Sequence, residues 1–102
     1  MHKQTYVEEI DGNIDTLILP LIKKIWAAGG ITYSSCIGQF LEYNLATEAD
    51  FTDVEYYPWV VIDKESFYVA ECILKDNIFE IIDNTDTLLI KIDPEYFIRQ
   101  SI

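Results

Sequence analysis

Within the seven residues Thr32-Tyr33-Ser34-Ser35-Cys36-Ile37-Gly38 the chain gathers one thiol, two adjacent serine hydroxyls and a glycine. Two chemistries suit such a set. A cysteine nucleophile needs a neighbouring histidine, cation or helix N-terminus to lower the pKa of its thiol. The single histidine is His2, no arginine follows Cys36 closely enough to form a phosphatase-type loop, and no C-x-x-C pair exists for redox work. Cys36 therefore reads as a small packed residue at a strand end, as cysteines without a partner commonly are. The other chemistry needs no reactive thiol. Ser34, Ser35, Cys36 and the backbone at Gly38 would form a concave nest for a nucleotide or another small anion, because small hydroxyls and a glycine let backbone N–H groups converge.

A second constellation is acidic. Glu42, Glu48, Asp50, Asp53 and Glu55 are interleaved with Tyr43, Phe51, Tyr56 and Tyr57. Runs of charge ordinarily form solvated faces. The functional reading is a protein-binding surface of Glu42, Glu48, Asp50, Phe51, Asp53, Glu55 and Tyr56. Its carboxylates would imitate nucleic-acid phosphates, with the aromatic rings as anchors against a basic groove. The D-x-x-D-x-E spacing lacks the ligand alternation and turn glycine of an EF-hand calcium loop. Asp83, Asp86 and Asp93 sit where turn residues are wanted beside strands.

The whole chain bears this out in sign, with 18 acidic residues against 7 basic ones and a formal charge of −11. Direct binding to DNA or RNA is disfavoured, since that affinity comes from lysine and arginine releasing condensed counterions. A basic protein partner is favoured instead. The length of 102 residues fits one domain, residues 1–102, with a core of its own. Hydrophobic residues make up half of the chain but never form an apolar run of about 18 or more, so neither a membrane span nor a secretory signal is expected. Two cysteines and one histidine are too few for a zinc site or a disulfide framework. No metal or cofactor is expected, and the compartment expected is the reducing cytoplasm.

The elements that would carry these groups follow from periodicity. Residues 4–10 alternate loosely as a first strand, with Tyr6, Glu8 and Ile10 on one face. Ile14, Leu17, Ile18, Leu21, Ile22 and Ile25 repeat at helical spacing, with Lys23 and Lys24 opposite and Gly29-Gly30 as the stop. Pro20 would cost about 3 kcal/mol inside a helix, which favours a late start near Asp15 or Thr16 that leaves it close to the first turn. Residues 31–35 read as a strand and residues 38–53 as irregular with some helix. Residues 57–62, opened by Pro58, form another strand whose edge, if exposed, would permit a homodimer by sheet extension. Asp63 then caps a helix reaching about Lys75, with Glu71 and Lys75 paired. Residues 77–83 either extend that helix or form a strand in a hairpin with residues 87–92. Pro94 opens a last helix that brings Tyr96 and Phe97 onto the body.

Thr32-Tyr33-Ser34-Ser35-Cys36-Ile37-Gly38, followed after a gap by Tyr57-Pro58-Trp59-Val60, resembles small uncharacterised phage and bacterial proteins. These share a T-aromatic-S-S-C-x-G element and a later P-W-V strand. The resemblance implies a phage setting and no particular chemistry. An S-S-C-x-G element also occurs in the wybutosine-synthesis methyltransferases of tRNA. Those enzymes commonly place a basic residue where this chain has Gln39, so their activity is not carried over. The order strand, helix, strand, strand, helix, strand implies an α+β fold with an antiparallel sheet and helices on one face, in a ferredoxin-like (split βαβ) arrangement. The expected function is that of a small acidic, non-enzymatic binding or inhibitor protein acting on a basic host protein.

Overall fold

The chain enters as a hairpin. In the computed structural model, which describes residues 3–38 and 57–100, β1 (Gln4–Val7) pairs antiparallel with β2 (Gly12–Asp15). A single 3-10 turn, Glu8–Ile10, joins them. This corrects the expectation of one strand over residues 4–10. Asp11 takes a left-handed backbone (φ 47°) and its N–H donates to the Glu8 carbonyl at 3.1 Å, so the Asp-Gly pair reverses the chain.

Helix α1 (Leu19–Ala27) begins even later than expected, with Pro20 inside the first turn where its missing N–H costs nothing. Ile14 accordingly lies on β2 rather than on the helix, yet it is buried all the same. Leu21, Ile22 and Ile25 form the buried stripe. The helix ends as Gly29 adopts φ 88° and Gly30 returns its N–H to the Ile25 carbonyl at 2.8 Å.

Four strands then make the main antiparallel sheet in the order β3-β4-β6-β5: β3 (Thr32–Cys36), β4 (Trp59–Asp63), β5 (Ile78–Asp83) and β6 (Thr87–Ile92). A 3-10 turn, Lys64–Ser66, leads into α2 (Phe67–Leu74), which carries the chain from β4 over to β5. Both readings of this region hold in part. The helix ends at Leu74, where Lys75 turns to φ 54°, and residues 78–83 form the strand of the hairpin. Asp63 is the last residue of β4, and its side chain makes no capping hydrogen bond. Helix α3 (Glu95–Gln100) follows Pro94 and buries Tyr96 and Phe97 as expected.

Alternation along the sheet sorts its two faces. Val60, Ile62, Ile90 and Ile92 are fully buried and share one core with the inner residues of α1, with Val69, Ala70 and Leu74 of α2, and with Tyr96 and Phe97. Trp59, Val61 and Leu89 lie on the opposite face and are half-buried. The class is α+β. β4, α2 and β5 form a split β-α-β unit with β6 inserted between its strands. A full ferredoxin-like arrangement needs a second such unit, but β1 pairs with β2 in a sheet of its own. The strand at residues 57–62 is found as Trp59–Asp63 and lies between β3 and β6, so it offers no free edge. Sheet extension cannot occur there. Among the described residues no helix is long and apolar enough to cross a membrane.

Candidate functional site

The hairpin and the edge strand β3 approach one another without pairing, and one carboxylate fixes their separation. Asp15, at the end of β2, is only 4% exposed. Its Oδ2 accepts the Ile37 N–H at 2.9 Å and its Oδ1 accepts the Gln4 amide at 3.1 Å. A buried carboxylate is tolerable only when donors replace its water. On the α1 side Trp26 donates its indole N–H to Thr32 Oγ1 at 2.9 Å, fixing the ring beside the start of β3. The Ser66 hydroxyl accepts the Ile31 N–H at 2.9 Å and holds the strand's other flank.

Between these ties lies an open cleft of about 340 Å³, lined by Ile10, Asn13, Trp26, Thr32, Ser34 and Ser35, with Tyr33 at its side. The lining mixes hydroxyls, an amide and aromatic rings. It can hold a polar group by hydrogen bonds or an aromatic side chain by stacking.

The structure divides the serine-cysteine set. Ser34 and Ser35 reach the cleft. Cys36 stands opposite Trp59 on β4, half-buried, and its Sγ accepts the Gly38 N–H at 3.3 Å. Gly38 is buried and takes φ 73°, a backbone that only glycine adopts without strain. The Ile37 and Gly38 amides, which an anion nest would use, thus serve Asp15 and Cys36, and an anion placed there would meet the Asp15 carboxylate. The second cysteine, Cys72, is exposed on α2. No group of three or more metal-ligating side chains occurs among the described residues. The acidic surface expected from Glu42, Glu48, Asp50, Phe51, Asp53, Glu55 and Tyr56 lies outside the described residues.

A different acidic surface comes from the hairpin. Its tip exposes Glu8, Glu9, Ile10 and Asp11, and Ile10 also borders the cleft. Tyr6, opposite Asn13 in the ladder, is exposed on the same face and donates its hydroxyl to Asp11 Oδ1 at 2.6 Å. That hydrogen bond holds the Tyr6 phenol above the ordinary tyrosine range, because ionisation would set two anions together, with slight desolvation adding in the same direction. The Asp11-Gly12 pair was the signal for this surface, since such a pair after an alternating stretch marks a hairpin turn. The chain matches no family model, no curated protein and no solved structure with which it was compared.

Proposed function

We propose that this is a non-catalytic binding or inhibitor protein acting in the cytoplasm, where an acidic, aromatic-studded surface occupies a basic, nucleic-acid-binding site on a partner protein. The observation that carries the reading is the hairpin tip. Glu8, Glu9 and Asp11 are exposed at the hairpin tip together with Tyr6 and Ile10, and Ile10 shares the lining of the cleft with the exposed ring of Tyr33. Carboxylates would steer the approach of a cationic surface, and the rings and Ile10 would supply desolvated anchoring area once contact is made. The net charge of −11 extends the steering field over the rest of the surface. The sequence adds further acids at positions 42–55, and the resemblance to small phage proteins would make a host protein the target.

A second reading uses the same cleft. Ser34 and Ser35 line it with Thr32 and Asn13, which favours a small polar ligand held by a hydroxyl or amide of this set.

One experiment separates these readings. The tagged protein, recovered gently at low salt from the cells in which it occurs, is weighed intact by native mass spectrometry. A co-recovered protein with a basic surface is expected. Glu8→Lys with Glu9→Lys, or Glu48→Lys, Asp50→Lys, Asp53→Lys and Glu55→Lys together, should release it while the circular dichroism stays unchanged. Retention by both charge-reversed variants would sink the proposal, and a small-molecule increment would move the assignment to Ser34 and Ser35.

A further inference from the structure

Aromatic rings and neutral oxygens meet in the cleft between the hairpin and β3, and among the described residues no charged side chain lines it. The ring of Trp26 is fixed in advance by its hydrogen bond to Thr32 Oγ1 at 2.9 Å. A register shift between Thr32 and Ser34 breaks the alternation of β3, so Thr32, Tyr33, Ser34 and Ser35 border the cleft in succession. The side chains of Asn13, Ser34 and Ser35 have no hydrogen-bond partner among the described residues, which leaves their oxygens open to a donor from outside.

Charge selects a cation for this cleft. Ile10, which lines it, lies in the chain between Glu9 and Asp11, and both carboxylates are exposed. Lys23 and Lys24 precede Trp26 on α1, but neither lines the cleft. A chain of −11 repels anions. Among cations the guanidinium fits this lining best. It is planar, stacks on an aromatic face and holds its N–H donors in one plane for oxygens at its rim. An ammonium keeps its water more tightly, and neutral oxygens replace that water less well. The chain itself does not supply the group: residues 39–56 contain no lysine or arginine, and the one arginine, Arg99, donates to Asn77 Oδ1.

We propose that the cleft seats an arginine side chain of the partner protein, stacked between the rings of Trp26 and Tyr33 and donating to the oxygens of Asn13, Ser34 and Ser35. This rests on the reading of the chain as a binder of a basic protein, and it names the side chain that anchors that protein. The volume of about 340 Å³ admits a side chain of this length together with bridging water.

The test titrates N-acetylarginine methylamide into the protein at low salt, beside the lysine analogue and the citrulline analogue, which has the shape of arginine without its charge. Binding is followed by NMR shifts of the Trp26 indole N–H, the Asn13 side-chain amide and the Ser34 and Ser35 backbone amides. The expected result is saturable binding of arginine with a Kd on the order of millimolar, and binding about tenfold weaker for the other two. Asn13→Lys, which puts a cation into the lining at an exposed position, should weaken arginine binding by about tenfold or more, and Asn13→Asp should tighten it. No saturable shift at these groups, citrulline bound as tightly as arginine, or arginine binding unmoved by both Asn13 variants would overturn the proposal. Loss of probe binding beside recovery of a basic partner would remove the cleft assignment alone, whereas probe binding with no basic partner recovered would remove the binding reading and leave a guanidinium site.

Discussion

Replacing Asp15 by alanine tests whether one carboxylate holds the hairpin to the sheet. The side chain accepts a buried N–H from Ile37 at 2.9 Å and a half-exposed amide from Gln4 at 3.1 Å. The two losses differ in weight. Gln4 can turn to water at little cost, but Ile37 is only 1% exposed and its N–H would be left buried without an acceptor. An unsatisfied buried donor costs roughly 1–3 kcal/mol, partly offset because a buried carboxylate is no longer desolvated. The net expectation is a loss of about 2 kcal/mol, or about 8–16 °C in Tm for a domain of this size. Asp15→Asn keeps one oxygen for the Ile37 N–H and should lose much less. The assay is thermal and urea unfolding by circular dichroism, with amide exchange at Ile37 as the local readout. An unchanged Tm in Asp15→Ala, or equal damage from alanine and asparagine, would refute the assignment of the stabilisation to the Ile37 bond.

Two further outcomes are expected. A Cβ at Gly30 would stand 2.5 Å from Ile25 Cγ2 and 3.0 Å from the Ile25 carbonyl oxygen. Ile25 is fully buried, so Gly30→Ala should cost roughly 1–3 kcal/mol and lower Tm by about 5–20 °C in a thermal melt. Tyr6 should ionise above the ordinary tyrosine range in a titration followed by phenolate absorbance. Its folded pKa is raised over the unfolded one, so the associated stability is fully present below the unfolded pKa and is lost as pH rises through the folded pKa. Asp11→Asn, which keeps a residue tolerant of the left-handed backbone, should bring the Tyr6 titration down, and an unmoved titration would show that Asp11 is not the cause.

Of the elements around the cleft, the strand Thr32–Cys36 was legible because β-favouring residues follow directly on the Gly29-Gly30 stop. The hairpin surface of Tyr6, Glu8, Glu9 and Asp11 was missed, although the Asp11-Gly12 pair signals a turn. Residues 4–10 alternate well enough for one strand, and the decisive reversal rests on the backbone of a single residue, Asp11. Asp15 reads locally as a helix-start residue. Its burial depends on Gln4 and on Ile37, 22 positions later, and no local pattern reports such a partner.

Local physics determined much of the rest from sequence alone. The spacing of Leu21, Ile22 and Ile25 demands a one-sided helix, Gly29-Gly30 ends it, and residues 87–92 can bury one face only as a strand. The net charge, read directly from composition, limits the partners the surface can attract. Tertiary structure decided which strand is central and which is an edge. Val60 and Ile62 would alternate identically at either position, because alternation records a buried face and not the number of neighbours within the sheet. Only the crossover through α2 places β5 outermost and β4 between β3 and β6. Among the described residues, that crossover makes Ile78–Asp83, rather than Trp59–Asp63, an end strand of the sheet.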